Sequence, residues 1–378
     1  MDVSGLKEIV HMTTVHQPYD TRIFHKECLS LQKAGYDVTL IVPMDVNEVR
    51  KDTDIALIPI KKRKSRILRM SLSTFQAYKK AKKIKAACYH IHDPELLPVA
   101  WLLKRKKNVV IYDIHEDYVT SMYQKEYIPK PIRKILGSIY GFVEKMFSHN
   151  MELCLAEKYY QEKYPAGKCI LNYPILNKLI LNHQVDNKPV GNRLLYTGNV
   201  SVERGAFIHA QLPKIDNRIA VHFIGKCPSN IAEEMYDVAG KTRDKLIIDG
   251  IDRFIEREQI DKSYISENWL AGIALFPPTE HYMKKELTKF FEYMGAGIPI
   301  ICSNFPVWKK FIETYDCGIT VDPHNHLEIR DAINYLRNNP NIARDMGDNG
   351  KKAVEEHLNW NSEGKKLIRW YEDVLKGL

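Results

Sequence analysis

Residues 8–42, EIVHMTTVHQPYDTRIFHKECLSLQKAGYDVTLIV, contain the pattern that decides the fold. Residues 8–15 form an apolar run with β-branched side chains, the reading of a buried strand. A polar loop, HQPYDTR, follows, and apolar residues at helical spacing then predict a helix over 22–34. Gly35 supplies a turn, and YDVTLIV reads as a second buried strand. Strand, helix, strand in so short a span is a parallel crossover unit, which is right-handed in nearly all proteins.

The same alternation recurs along the chain. A helical stretch runs to about Ala87, followed by the strand CYHIH, a helix over 94–104 and the strand NVVIYDIH. After a helical region near 131–150 and the strand MELCLA, residues 172–192 lose periodicity and gather Asn and Pro, which reads as a linker. A second series then begins: NRLLYTGN, IAVHFIG, KLIIDGI, AGIALFPP, the helix KFFEYMGAG, PIICS and CGITVDP. The expected architecture is α/β, with two doubly wound Rossmann-like domains facing each other across a cleft. Residues 1–175 and 190–355 form the two domains. The amphipathic helix over 356–378 is expected to pack back on the first.

Length and composition fit that reading. The 378 residues are 44% hydrophobic and 27% charged, enough for two ordinary cores. The net charge is +9, and it lies in the first part of the chain: residues up to 180 carry +11, the remainder −2. No run of eighteen apolar residues and no secretory signal pattern occurs, so a cytoplasmic protein is expected. Seven cysteines at scattered spacings, with no C-x-x-C pair, argue against a disulfide framework and a zinc site. Neither series carries G-x-G-x-x-G after its first strand, nor G-x-x-x-x-G-K-[ST], which removes the main support for dinucleotide oxidoreductases and P-loop phosphotransferases.

Chemistry should therefore lie in the loops after strands. ELTKFFEYMGAGIPIICS, residues 286–303, reads as loop, helix and strand. A helix beginning near Leu287–Lys289 would offer free amides and a positive dipole end to a diphosphate, with Thr288 and Lys289 adding a hydroxyl and a cation. Glu292, one turn further in, is placed for a ribose diol. The plainer alternative is a glutamate complementing the helix dipole. In YTGNVSVERG, Gly198 allows close backbone approach and Arg204 offers a permanent charge suited to phosphate. In YDIHED, the polar side chains that end a buried strand should emerge at the cleft rim. His90 and His92 alternate on one strand. With no further ligands at metal spacing, they are read as structural or cleft-lining.

These segments, taken together, resemble the family-4 retaining glycosyltransferases. LTKFFEYMGAGIPIICSNFPVWKKFIETYDCGITVDP resembles that family's donor-site helix and following strands. HQPYDTRIFHKECLSLQKAGYDVTLI, IHDPELLP, YDIHEDY, YTGNVSVERG and IDGI fall in the family's order over nearly the whole chain. The resemblance implies the GT-B fold and retaining transfer from a nucleotide sugar in bacterial surface-polysaccharide synthesis. It also implies that no metal is essential. By the same resemblance His115, Arg204 and Glu292 are catalytic. Gly198, Arg204, Gly250, Ile251, Leu287, Thr288, Lys289 and Glu292 hold the donor, while Asp20, Arg22, His92 and Glu116 lie on the acceptor side. UDP is the default nucleotide, from its frequency in the family. The family's first glutamate, eight residues before the ribose-binding one, is here Lys284.

Residues 61–85 contain eleven Lys or Arg and no acid, with Ile67, Leu68, Met70, Leu72 and Phe75 among them. Beside that resemblance, an anionic membrane surface is the expected partner, on the way to a glycan or lipid-linked acceptor. Tyr127, Ile128, Ile132, Arg133, Lys134, Ile135 and Tyr140 would reinforce it. No recognisable nucleic-acid module surrounds the patch, so nucleic acid is not expected as a partner. The rival functions are a nucleotide-sugar epimerase of the same fold and a non-catalytic binding partner.

Overall fold

The computed structural model describes residues 7–45, 48, 54–115, 129–182 and 191–378. The chain forms two compact units. One comprises the described residues up to Asn172 together with Trp360–Leu378, and the other comprises Tyr173–Asn359.

The first unit is built on a seven-stranded sheet: β1 (Glu8–Met12), β2 (Asp37–Pro43), β3 (Ala56–Ile60), β4 (Cys88–Ile91), β5 (Val109–Ile114), β6 (Glu152–Leu155) and β7 (Lys168–Cys169). The order is β3-β2-β1-β4-β5-β6-β7, with every pairing parallel. Because side chains alternate across a strand, Val10, Tyr89, Ile91, Val110 and Tyr112 fill one face of the sheet. Ile9, Cys88, Ile111 and Cys154 fill the other. The second face is covered by the helix over residues 21–33 and by the terminal helix Trp360–Leu375. That terminal helix buries Trp360, Leu367, Trp370, Tyr371 and Leu375 there. The period of its apolar residues is what allows this docking.

The helix after β1 is unusual: Thr21–Cys28 is a π-helix that runs into an α-helix over Leu29–Lys33. Asp20 caps it, accepting from the amides of Arg22 and Ile23. Its wider turn, with i to i+5 bonding, directs Arg22, Lys26 and Glu27 inward together, and all three are buried.

In the second unit the strands are β8 (Arg193–Thr197), β9 (Ala220–Cys227), β10 (Leu246–Ile251), β11 (Ala271–Ala274), β12 (Ile300–Ser303) and β13 (Gly318–Val321). The order β10-β9-β8-β11-β12-β13 is again all parallel. Strand order reverses between β8 and β11, the switch point at which open α/β sheets bind ligands. Gly205 sits at that point with φ +76°, and a Cβ there would lie 2.0 Å from the Leu275 carbonyl oxygen. Only glycine lets the loop after β8 pack against the end of β11. β3 and β7, both at sheet edges, were not anticipated from sequence; the other eleven strands were.

Candidate active site

A cavity of about 290 Å³ opens at the β8/β11 switch point of the second unit. Thr197 and Gly198 contribute the end of β8, Phe276 the segment after β11, and Leu287–Lys289 and Glu292 the helix Thr288–Gly295. That helix begins where the sequence placed it, and no side chain caps its first turn. Its opening residues Leu287, Thr288 and Lys289 line the cavity, and their amides are not taken up by a side-chain cap. The loop before it is tied down by Trp308, whose Nε1 donates to the Lys285 carbonyl at 2.8 Å. Gly198 adopts φ +92°, with open space where a Cβ would project.

Four cations line the cavity wall, Arg204, Arg257, Lys285 and Lys289, and three of them have distinct environments. The Arg204 Nε donates to the Tyr282 hydroxyl at 3.1 Å and its Nη1 reaches the Asn199 carbonyl at 3.4 Å. Lys289 is buried, and its Nζ has no hydrogen-bond partner; it lies 3.5 Å from the Tyr196 ring centroid. Burial, and then the nearby Arg204 charge, pull its pKa well below the usual lysine value. An anion entering the cavity would restore the charged form. Arg257 pairs with Glu292 Oε1, and the Tyr264 hydroxyl donates to Glu292 Oε2 at 2.6 Å. Glu292 thus sits one helical turn below the free amides, as a carboxylate held by two donors.

Arg257, Tyr264 and Tyr282 had no signal in the sequence, because their contacts with Glu292 and Arg204 are made by the fold across 28 to 78 residues. Gly250 and Ile251 end β10, two strands from β8, and do not line the cavity. Lys284 ends the helix Glu280–Lys284 and likewise does not line it, whereas Lys285 and Glu286 do.

The remaining candidates belong to the first unit. Asp20 is the helix cap already described, and His16 lies 3.5 Å from its Oδ2. Sequence reasoning put Arg22 and His92 against an acceptor, but the structure buries both, at 3% and 1% exposure. Arg22 instead forks onto Asp113 at 3.0 and 2.8 Å and donates to the Ile170 carbonyl. His92 Nδ1 is 3.2 Å from Asp113 Oδ2. His115 follows β5 directly, with its Nε2 3.0 Å from the same oxygen. Burial pulls the pKa of His115 down to about 3 despite that carboxylate, so the imidazole is neutral near pH 7. Glu116 lies outside the described residues, as do Tyr127 and Ile128.

The basic segment forms a helix over residues 66–81 with a π-helical stretch at Arg69–Ser73. Ile67, Leu68, Met70, Leu72 and Phe75 are all exposed, Ile67 at 78%. Its cations are not all without acidic partners: Lys62 pairs with Glu48 and Arg69 with Glu95. Beyond it, Trp101 is exposed and its ring packs edge-on against Phe147 of the helix Lys130–Ser148. That helix exposes Ile132, Ile135, Leu136, Ile139, Phe142 and Met146. So many large apolar side chains on one unit exceed the scattered singles of an ordinary surface. Among the described residues, no helix is long and apolar enough to cross a membrane.

Two family models match the chain, "Glycosyl transferase 4-like" over residues 10–150 and "Glycosyl transferases group 1" over residues 288–353. No curated protein sequence matches it. Among solved structures, sucrose-phosphate synthase from Thermosynechococcus elongatus is 16% identical, with a TM-score of 0.70, over 98% of this chain and 100% of that one. A glycosyltransferase from Rickettsia africae is 14% identical, TM-score 0.70, over 98% and 99%. Anabaena HepE, solved in complex with UDP-glucose, is 9% identical, TM-score 0.68, over 97% and 100%. The structural likeness shows the GT-B fold, and the two family models place glycosyltransferase-like sequence in both units of it.

Proposed function

We propose that the protein transfers a sugar from a nucleoside diphosphate, with UDP as the first candidate, to a hydroxyl of a glycan or lipid-linked acceptor with retention of configuration. The single observation that carries this is the second-unit cavity. A free helix N-terminus, the partnerless Lys289 amine and Arg204 converge there beside a carboxylate, in the order phosphate then ribose. HepE, of the same fold, has been solved with UDP-glucose. In this reading Thr288 and the helix amides seat the diphosphate, and Glu292 accepts from the ribose. Arg204 and Lys289 neutralise the charge that grows on the leaving group. Electrostatic stabilisation of that leaving group is the largest catalytic contribution, and it is supplied here by side chains and amides without a catalytic metal. To His115, a neutral imidazole oriented by Asp113, we assign contact with the transferred sugar.

The test is direct. Nucleotide sugars are supplied singly with a hydroxyl acceptor, and free nucleoside diphosphate is measured alongside glycosylated product. Epimerised sugar without diphosphate release would overturn the reading, as would binding without turnover. Arg204→Ala is expected to lower kcat by about 10²-fold, the typical loss for one electrostatic donor. A fall in donor affinity at unchanged kcat would make Arg204 a uniform binder instead.

The exposed apolar side chains and cations of the first unit support a further part of the proposal, attachment to an anionic membrane where a lipid-linked acceptor resides. Glutamine at the exposed Lys61, Lys64, Arg66 and Lys82 should release the protein from phosphatidylglycerol vesicles at moderate salt. The wild type should be released only by high salt. Equal sedimentation of the two proteins, or none, would defeat it.

A further inference from the structure

The face of the first-unit sheet that lies under the π-helix is not wholly apolar. Along it, β1 presents His11 and β4 presents His90, paired in register, with His92 just past the strand end. Glu27 descends onto them from the π-helix. All four side chains are buried, at 0 to 1% exposure. Within this cluster the Glu27 Oε2 lies 4.0 Å from His11 Nδ1, 3.9 Å from His90 Nδ1 and 3.9 Å from His92 Nε2. Those separations are too long for hydrogen bonds, and Oε2 has no other partner. One potential ligand atom from each of the four residues falls within 4.8 Å of the others.

Two hydrogen bonds engage these nitrogens, His11 Nδ1 with His92 Nε2 at 2.9 Å and His90 Nδ1 with the Tyr371 hydroxyl at 2.6 Å, but none reaches Glu27 Oε2, which faces three imidazoles across a gap that an ion could occupy. Ligand atoms about 2.1 Å from a tetrahedral zinc are about 3.4 Å apart. The carboxylate-to-imidazole distances exceed that by about half an ångström. The His11 Nδ1–His92 Nε2 separation, 2.9 Å, falls short by a similar amount, so the ion would replace that hydrogen bond and draw the carboxylate in by about half an ångström. Two buried carboxylates, Glu27 and Asp113, share one guanidinium: Arg22 contacts Glu27 Oε1 at 3.1 Å and forks onto Asp113.

We propose that His11, Glu27, His90 and His92 form a closed, structural site for a divalent transition metal, zinc by preference for its three-imidazole, one-carboxylate donor set. With no exposed ligand and no open position the ion would not take part in sugar transfer. It would pin the π-helix to the β1/β4 switch point. Asp113, beside His92, and Tyr371, whose hydroxyl lies 2.6 Å from His90 Nδ1, surround it. Tyr371 links the site to the terminal helix. The sequence concealed this site because its ligands come from separate strands and a helix, up to 81 residues apart, with no shared motif.

The full chain, stripped with a chelator and dialysed against excess zinc, is then desalted and its metal content measured by mass spectrometry. About one tightly held zinc per chain is expected, together with a rise in thermal midpoint. Cobalt(II) titrated into the stripped wild type should produce the intense visible bands of a tetrahedral N/O site. Glu27→Gln combined with His90→Gln should lose both signals, whereas His222→Gln in the other unit should keep them. Retention of zinc by the double variant would reassign the metal to the surface. If the wild type holds less than a tenth of an equivalent and cobalt gives only the pale octahedral spectrum, the site is a metal-free polar network. The wild-type measurements decide the matter even if the double variant does not fold.

Discussion

Glu292→Ala is expected to reduce sugar transfer by about 10² to 10⁴-fold with both units still folded. A carboxylate offers about four acceptor positions. Two are occupied, by Arg257 and by the Tyr264 hydroxyl, which leaves capacity for the two hydroxyls of a ribose. Each charge-assisted bond contributes about 1.5–3 kcal/mol, so losing a pair removes about 3–6 kcal/mol, and each 1.4 kcal/mol is a factor of ten. Alanine also leaves Tyr264, fully buried, without its strongest acceptor, so some loss of stability should accompany the loss of activity. Glu292→Gln separates the two effects, since an amide oxygen still accepts from Tyr264 while the charge that Arg257 faces is gone. The readouts are transfer rate, affinity for the nucleoside diphosphate, and circular dichroism. Wild-type affinity and rate in Glu292→Ala would show that this carboxylate serves only to hold Arg257, and would remove the ribose from the proposed site.

Local signals in the sequence were enough to place most strands and the first turn of the donor-side helix. The apolar strands interrupted by Gly, Asn and Pro are the mark of buried parallel strands. Leu287, Thr288, Lys289 and Glu292 lie within one and a half helical turns, so a single segment contains most of the anion seat. The strands that escaped notice are edge strands with weak signals: β3 contains Pro59, which a central strand would not tolerate, and β7 is two residues long. The partners of the site residues escaped for a different reason. Arg257 reaches Glu292 from a helix 35 residues away, and Arg22 reaches Asp113 across 91. Neither pairing leaves any periodicity, and both depend on strand order. Strand order also explains Arg22. A charged residue in a loop-like stretch reads as solvent-facing, yet the π-helical turn rotates it inward beneath the sheet's end.

That rotation makes Arg22 the residue whose loss should most damage the first unit. Its guanidinium makes a two-pronged contact with Asp113, touches Glu27 and satisfies the Ile170 carbonyl, all at 3% exposure. Removing one member of a buried ion pair costs about 3–5 kcal/mol, because the remaining charge stays desolvated. Arg22→Met keeps much of the side chain's length and its apolar stem, so the expected loss comes from the charge and not from a cavity. Two carboxylates would then face each other with no cation between them. Arg22→Lys should recover only part of the loss, since a single ammonium cannot reproduce the planar fork. In Arg22→Met/Asp113→Leu one of the stranded charges is gone, so the combined loss should be smaller than the sum of the two single losses, and the shortfall measures their coupling. Because the chain has two units, a global melting curve would blur the effect. Amide hydrogen exchange resolves it: protection in β1, β4 and β5 should fall by about 10² to 10³-fold, while β8, β9 and β11 keep theirs. Protection in β1 within tenfold of wild type would mean that water or a rearranged neighbour already compensates Asp113 and Glu27. The π-helix would then have to be explained by something other than the burial of Arg22.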